Sequence, residues 1–255
     1  MRYGVCHLAI VPCRAEASDK SEMVTQLLFG DYFEILEQTE KWAKIKITLD
    51  GYICWVDRKQ YLPCTQKEFS KQKNPASYCY SPIGLVNQKD EKNIFPIVIG
   101  SGLSDKNKTI ISGKNFSYDG DVKIKAKTER KNIIQDSFLY LNAPYLWGGK
   151  TPFGIDCSGF VQMVYRINSY NLPRDASQQA ELGKTLSFLE EATPADLAFF
   201  DNVEGNIIHV GIILENSRII HASGKVRIDK LDHYGIFNEE TNSYSHRLRL
   251  LKKIL

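Results

Sequence analysis

The amino-acid sequence predicts a multidomain protein in which small all-β barrels precede an α+β domain. The chain has 255 residues, enough for one large domain or for two to three small ones. Residues 1 to about 64 alternate apolar and polar side chains with a period of two, which is typical of antiparallel strands. From about residue 129 the pattern changes to helices followed by strands, which indicates that a different domain begins there.

Composition is ordinary for a globular protein. Hydrophobic residues make up 43% and charged residues 25% of the chain. The net charge of +3 is too small to favour nucleic acid, and no basic stripe with interleaved aromatic residues occurs. No apolar run approaches the ~18 to 20 residues of a membrane span, and the first residues lack the cleavage site of a signal peptide. We therefore expect a cytoplasmic protein without nucleic-acid or membrane partners, or a periplasmic one if a leader was removed before residue 1.

The first two domains are predicted to be small β barrels. Turn signals at Gly30-Asp31 and Asp50-Gly51 separate short strands in residues 1–64. Residues 65–128 are rich in turns, with short strands around "FPIVIGS" and "VKIKAK". We interpret this second segment as a diverged barrel of the same kind.

The cysteines divide into two groups. Five lie in the first third of the chain, namely Cys6, Cys13, Cys54, Cys64 and Cys79. They form no C-x-x-C pair and no metal-ligand spacing, so reduced thiols are the simpler interpretation, with disulfides left open. Cys157 stands apart from all of them.

The third domain, residues 129–255, is predicted to be α+β. A helix is expected to open it near residue 129, because apolar residues of "ERKNIIQDSFLYLN" recur at helical intervals. A second helix should begin at or just after Cys157, with an apolar face that contains Phe160 and Val164. The segments "ADLAFFD", "IIHVGIIL" and "RIIHAS" are typical of successive strands. A helix packed on an antiparallel sheet follows from this order.

The position of Cys157 suggests a nucleophile. At a helix start, unpaired backbone N–H groups favour a thiolate, and we expect a pKa lowered from ~8.5 toward neutral. Ser158 and Gly159 are small and leave room for a substrate. Such a sulfur also needs a base and a third group that orients the base.

Two of the five histidines are candidates for these roles. His209 and His221 lie in neighbouring apolar strands, where either one alone is better explained as a hydrogen-bonded core residue. A hairpin with the odd-numbered loop 215–217 places Gly211 opposite His221, so that His209 and His221 share a face as diagonal neighbours. Of the other three, one is predicted in the first barrel and two in polar, irregular sequence: His7, His233 and His246.

Two parts of the chain resemble known families. The first barrel resembles a bacterial SH3-like domain in the order of Pro12, Arg14, segment 22–26, Gly30, Trp42 and the "GYICW" that ends at Trp55. Residues 129–255 resemble the NlpC-type cell-wall cysteine peptidases, which have a papain-like fold. The motifs that carry this resemblance are "YLWGG", "TPFGIDCSGFVQ", "LPRDASQQ", "PADLAFF", "HVGIIL" and "IIHASG". It implies Cys157 as nucleophile, His209 as general base and acid, and His221 as the residue that orients His209, with no metal or cofactor.

The resemblance also implies a substrate. The family cleaves peptidoglycan stem peptides between D-glutamate, linked through its γ-carboxyl, and the following diamino acid. With Glu22 and Tyr52 in its SH3-like domain, the chain resembles enzymes that recycle cell-wall peptides with a free amino-terminal L-alanine. Glu22, Tyr52 and Asp156 are expected to bind the L-alanine ammonium. Further substrate contacts are implied for Trp147, Ser158 and Asp175, whereas for Arg174 we favour a structural ion pair.

Two other functions compete with this interpretation. In one, the SH3-like part binds cell wall and the third domain is an inactive relic, which the presence of Cys157, His209 and His221 argues against. In the other, the enzyme is an amidase or a deamidase that acts on protein glutamine. A barrel in front of the peptidase favours a small peptide instead. The preferred diamino acid and the oligomeric state are not predicted.

Overall fold

The computed structural model describes residues 2–89, 91 and 93–255. The chain divides into two compact units, Met1–Ala126 and Lys127–Leu255. The first unit is almost entirely β and the second combines helices with a sheet, so the predicted fold class is confirmed. In the part of the chain that the structure describes, no helix has both the length and the apolar character needed to cross a bilayer.

The first unit begins with seven short strands. They are β1 (Tyr3–Val5), β2 (Ile10–Arg14), β3 (Met23–Leu28), β4 (Tyr32–Gln38), β5 (Trp42–Ile47), β6 (Ile53–Asp57) and β7 (Leu62–Cys64). They pair antiparallel in the order β3-β2-β6-β5-β4-β1-β7. Gly30 and Gly51, at the two predicted turns, have φ of +81° and +74°, a conformation that glycine adopts without steric cost.

The rest of the first unit forms two smaller sheets. After α1 (Gln66–Gln72) its strands are β8 (Ser77–Cys79), β9 (Ile83–Gln88), β10 (Asn93–Val98), β11 (Gly102–Leu103), β12 (Lys108–Ile111), β13 (Lys114–Asp119) and β14 (Val122–Ile124). The sheet orders are β10-β9-β13-β12 and β11-β8-β14. The core is continuous with the first sheet, since Phe29 packs edge-on against Phe116 at 5.5 Å between ring centroids. That residues 65–128 form a second SH3-like barrel stays a prediction.

The six cysteines are free and buried. Cys6, Cys13 and Cys54 belong to the core beneath the first sheet, packed among residues such as Val11 and Phe33. These three thiols therefore pack as small core residues. Burial raises the pKa of Cys64 to about 12 and that of Cys79 to about 11.

The second unit places three helices beside one large sheet. Its elements are α2 (Arg130–Ser137), β15 (Lys150–Thr151), β16 (Gly154–Ile155), α3 (Cys157–Ile167), α4 (Ala176–Gln179), β17 (Lys184–Leu186), β18 (Leu197–Asp201), β19 (Ile207–Leu214), β20 (Arg218–Ser223), β21 (Lys225–Leu231), β22 (Gly235–Asn238) and β23 (Ser243–Lys253). The sheet order is β17-β23-β18-β19-β20-β21-β22, and β23 also pairs with β22. The strands β18 to β23 therefore close on themselves, and the three predicted strands lie side by side within them.

Helix α3 is buried on all sides. All eleven of its residues are buried, including the polar Gln162 and Arg166. The sequence predicted only one apolar face, and the structure corrects this because α3 packs against β19 and β20 on one side and against α2, α4 and β15 on others. Its amino terminus lies against the sheet, where the backbone of Val210 in β19 contacts Cys157.

Candidate active site

Cys157 is the first residue of α3. The preceding residue, Asp156, has an extended backbone with φ −92° and ψ 176°, and its carboxylate accepts a 2.7 Å hydrogen bond from the backbone N–H of Gly159. With this cap the helix begins at the predicted position, and its first backbone N–H groups point out of its amino terminus. Cys157 is only 7% exposed, so a reactive sulfur here lies in a largely dry environment.

The Asp156 carboxylate is saturated with hydrogen-bond donors. Oδ1 accepts from Gly159 N at 2.7 Å, Arg174 Nη1 at 3.0 Å and Ser158 Oγ at 3.3 Å, and Oδ2 accepts from Gly148 N at 2.8 Å and Arg174 Nη2 at 2.5 Å. Two carboxylate oxygens offer about four lone-pair sites, so these contacts fill them. The favoured ion pair of Arg174 is confirmed. Binding of a substrate ammonium by Asp156 stays a prediction.

The thiol is not ionised by its surroundings, in contrast to the expectation from the helix terminus. Burial and the Asp156 carboxylate raise the pKa of Cys157 to about 12. Hydrogen bonds from the backbone N–H groups of Val210 and Ser158, together with the Arg174 charge, act in the opposite direction. Desolvation outweighs them because the sulfur is almost sealed from water. At neutral pH the sulfur is therefore a thiol, and attack requires a base that removes its proton.

His209 and His221 lie together on adjacent strands. Strands β19 and β20 pair with Gly211 opposite His221, which is the register that the sequence predicted. His209 Nε2 lies 2.8 Å from His221 Nδ1, and the two residues are 4% and 1% exposed. Val210, the residue after His209, donates its N–H to the Cys157 sulfur. Strand β19 therefore carries the candidate base and also contacts the candidate nucleophile.

The prediction that His246 lies in irregular sequence is wrong. It lies in β23, opposite Ile236 of β22, and its ring stacks on that of His209 with centroids 4.0 Å apart and planes inclined by 21°. The polar side chains of this segment obscured a strand whose outer face is exposed. Burial lowers the pKa of His246 to about 4, and burial together with His246 and His221 lowers the pKa of His209 well below 6.5. The candidate base is therefore neutral at pH 7.

Two further residues extend the pair and were not selected from the sequence. His221 Nε2 lies 2.9 Å from Asp229 Oδ2, and Arg227 donates to both oxygens of Asp229 at 2.7 and 2.9 Å. In the pairing of β20 with β21, His221 is opposite Arg227 and Ile219 is opposite Asp229. Asp229 is therefore a diagonal neighbour of His221. Asp229 could have been predicted from the sequence in the same way as the pairing of His209 with His221, from the register of a hairpin.

His209, His221 and His246 form a cluster of three possible metal ligands. One ring nitrogen each from His209, His221 and His246 lies within 4.8 Å of the others. However, the rings of His209 and His246 are stacked, and lone pairs in two nearly parallel planes 4.0 Å apart do not converge on one ion at the ~2.0 to 2.1 Å of a zinc–nitrogen bond. The third member, His221, already shares a hydrogen bond with His209. The geometry fits a hydrogen-bonded base better than a metal site.

The remaining predicted residues occupy varied environments. Trp147 is 60% exposed although it lies ten residues before the nucleophile. Asp175 caps α4 and forms a capping box with Gln178. In the first unit, Glu22 is exposed just before β3, and Tyr52 is half-buried against the core just before β6. Their contacts with substrate, and that of Ser158, stay predictions.

Two segments of the chain match known protein families. Residues 142–244 match the model of the NlpC/P60 family, and residues 13–60 match the bacterial dipeptidyl-peptidase Sh3 domain. A γ-D-glutamyl-L-lysine dipeptidyl-peptidase of Bacillus subtilis is 30% identical over 214 residues, which cover 78% of this chain and 71% of that protein. A protein of the same name from Bacillus cereus is 23% identical, with 80% and 68% covered.

The fold has a counterpart among solved structures. The crystal structure of an NlpC/P60 family protein from Bacillus cereus superposes with a TM-score of 0.84 and covers 99% of both chains. At 18% identity this similarity concerns the fold. It extends over the β unit as well as the α+β unit.

Proposed function

This chain belongs to the NlpC/P60 family and is a cysteine peptidase, and we propose that it hydrolyses the bond between γ-linked D-glutamate and the following diamino acid in peptidoglycan peptides. The observation that carries the proposal is the buried hydrogen bond between His221 and His209, since His209 lies on the strand β19 that also contacts the Cys157 sulfur. Two relatives named γ-D-glutamyl-L-lysine dipeptidyl-peptidase support the choice of bond.

The first half of the proposed reaction is acylation. His209 accepts the Cys157 proton on Nδ1, because its Nε2 is engaged by His221. The sulfur attacks the γ-carbonyl carbon of D-glutamate, and the backbone N–H of Cys157 at the start of α3 stabilises the developing oxyanion. His209 then gives its proton to the amine of the diamino acid as the C–N bond breaks.

The second half is hydrolysis of the thioester. A water molecule loses a proton to His209 and attacks the acyl carbon. The C–S bond breaks, and the leaving sulfur recovers the proton from His209. Both halves use the same base in alternate protonation states, and the neutral imidazole of the resting site suits this task.

We further propose that the substrate carries a free amino-terminal L-alanine, as a peptide released from cell wall for recycling does. The match of residues 13–60 to the Sh3 domain of bacterial dipeptidyl-peptidases supports this choice. Glu22 and Tyr52, both within that segment, are the proposed ligands of the ammonium, with Asp156.

The test is hydrolysis of L-Ala-γ-D-Glu-L-Lys and of its diaminopimelate analogue, followed by mass spectrometry of the products. We expect L-Ala-γ-D-Glu and the free diamino acid. The α-linked isomer L-Ala-α-D-Glu-L-Lys is the matched substrate control and should remain intact. Failure to cleave either γ-linked peptide, or equal cleavage of the α-linked one, contradicts the proposal.

The enzyme control separates the proposed nucleophile from other thiols. Cys157→Ala should abolish hydrolysis, whereas Cys54→Ala, which changes a buried cysteine of the first unit, should leave kcat within about twofold because no step of the proposed mechanism uses that thiol. More than a trace of turnover by Cys157→Ala would rule out the mechanism.

A further inference from the structure

A series of polar contacts leads from the proposed base to Arg227, whose side chain is 15% exposed. It passes from His209 to His221 at 2.8 Å, from His221 to Asp229 at 2.9 Å, and from Asp229 to Arg227 at 2.7 and 2.9 Å. The first three members are at most 4% exposed. The residues come from the adjacent strands β19, β20 and β21, so the sheet register itself aligns them.

The Asp229 carboxylate determines which atom donates in each hydrogen bond of this series. An ionised carboxylate only accepts hydrogen bonds. Burial raises the pKa of Asp229, but hydrogen bonds from His221 and Arg227 outweigh it and hold that pKa below its usual value. The Asp229 carboxylate is therefore ionised at neutral pH. His221 Nε2 must then be the donor in the 2.9 Å contact.

The protonation of His221 in turn determines the direction of its contact with His209. Burial lowers the pKa of His221 despite its contact with Asp229, so at neutral pH its ring carries one proton, on Nε2. Its Nδ1 then has a lone pair and can only accept, which requires that His209 Nε2 is the donor at 2.8 Å. The neutral ring of His209 consequently has its lone pair on Nδ1. That is the nitrogen from which the proposed mechanism needs a base.

We propose that Asp229 is a positioning residue of the active site, which fixes the tautomer of His221 and, through it, the tautomer of His209. The inference rests on the proposed function, in which His209 Nδ1 takes the proton of Cys157. Arg227 contributes by donating to both oxygens of Asp229. Arg227 itself is held by Glu240 at 2.9 Å and by Asn238 at 3.1 Å.

Leucine at position 229 tests this with little change of size. Asp229 Oδ2 accepts from both His221 Nε2 and Arg227 Nε, and Oδ1 accepts from Arg227 Nη2. Leucine removes both acceptors and leaves the Arg227 donors beside His221 Nε2, which favours a lone pair on Nε2 and the proton on Nδ1. The contact with His209 is then reversed, and the base nitrogen is protonated in the resting enzyme. In proteins with an analogous aspartate–histidine pair, loss of the correct tautomer costs several powers of ten in kcat.

The tautomers are measured directly by ¹⁵N NMR of the full chain with labelled histidine, with Asp232→Leu as a matched control on the loop after β21. The unmutated chain and Asp232→Leu should both show Nε2–H tautomers for His209 and His221, and Asp229→Leu should show Nδ1–H tautomers. This readout does not depend on turnover, so it stays informative if the proposed substrate is wrong. An Nδ1–H tautomer of His209 in the unmutated chain would overturn the inference, and this outcome requires no variant to fold.

Kinetics provide the second test, with His221→Asn as the background. Asp229→Leu should lower kcat at least about 50-fold with KM changed less than about threefold, since a tautomer error affects the chemical step. An asparagine at position 221 has no ring tautomer, so in that background Asp229→Leu should change kcat by less than about threefold. An equal loss in both backgrounds, or unchanged tautomers in Asp229→Leu, would mean that Asp229 only stabilises the hairpin.

Discussion

His246 lies flat against His209, with ring centroids 4.0 Å apart and planes inclined by 21°. It covers one face of the proposed base and is itself neutral near pH 7, since burial lowers its pKa to about 4. Phe200 adjoins both rings at 5.7 and 5.9 Å. The base is therefore enclosed by aromatic rings that exclude water without adding a charge.

The stacking predicts different results for two variants. His246→Phe keeps an aromatic ring over His209 and should retain at least about half of kcat, whereas His246→Ala admits water and should lower kcat about three- to tenfold. Steady-state kinetics on the γ-linked tripeptide measure this. Equal losses for phenylalanine and alanine would show that stacking is not what His246 contributes.

The pH dependence of the reaction follows from the neutral resting pair. The pKa of His209 lies well below 6.5 and that of Cys157 is raised. As pH falls, the neutral imidazole is lost only below the lowered value, so the acid limb of kcat/KM and of alkylation at Cys157 should lie below pH 6.5. The two groups titrate as a coupled pair, so the observed value belongs to both. An acid limb with its midpoint above pH 6.5 would contradict the described environment of His209.

The buried ion pair between Arg174 and Asp156 predicts a large loss of stability. Arg174 is 1% exposed, and Arg174→Met leaves the Asp156 carboxylate buried without its counter-charge, which should cost about 3 to 5 kcal/mol in the free energy of unfolding. Urea unfolding measures the loss. The double variant with Asp156→Asn should recover part of it, because no unpaired charge remains.

A surface pair of the same unit serves as the control for this experiment. Lys131 contacts Glu129 at 3.0 Å with side chains 78% and 50% exposed, and Lys131→Met should cost less than about 1 kcal/mol. If Arg174→Met is no more harmful than Lys131→Met, the ion pair is not what fixes the start of α3.

Chelators should leave the activity unchanged. The stacked rings of His209 and His246 do not direct their lone pairs toward one point, and His221 is already hydrogen-bonded to His209. Turnover in EDTA, compared with the same assay after addition of zinc, checks this. Activity that is lost in EDTA and restored by zinc would mean that the three histidines hold a catalytic ion.

Glu22 is predicted to bind the free ammonium group at the amino terminus of the substrate. Truncating one partner of a desolvated charge pair typically costs ~2 to 5 kcal/mol, so Glu22→Ala should lower kcat/KM on L-Ala-γ-D-Glu-diaminopimelate by tens-fold or more. Glu16→Ala, which removes another exposed acid of the same loop, should have little effect. Acetylation of the L-alanine amine should block cleavage by the unmutated enzyme. Cleavage of the acetylated peptide or of intact sacculi at an equal rate would exclude this role for Glu22.

The strongest inferences from sequence concerned features that depend on local geometry. The start of α3 follows from Asp156 as a cap, and the pairing of His209 with His221 follows from the parity of a three-residue loop, because side chains alternate between the faces of a strand. Both are decided by residues close together in the chain. They could therefore be predicted without knowledge of the rest of the fold.

His246 and Arg174 reach the site in a different way. His246 meets His209 only because β23 closes the sheet against both β18 and β22, a pairing between segments far apart in the chain. Arg174 meets Asp156 only because the segment after α3 folds back over the helix start. No local pattern contains such pairings.

The sequence by itself determined the family, the order of a β part before an α+β peptidase, and the residues proposed for the chemistry, since each depends on motif, period and helix capping. The tertiary structure decided the protonation of those residues. A helix start favours the thiolate of Cys157, yet burial against the sheet and beside Asp156 raises its pKa to about 12. His209 is neutral because rings from distant strands exclude water from it. Desolvation depends on every segment that covers a group, and only the folded chain brings those segments together.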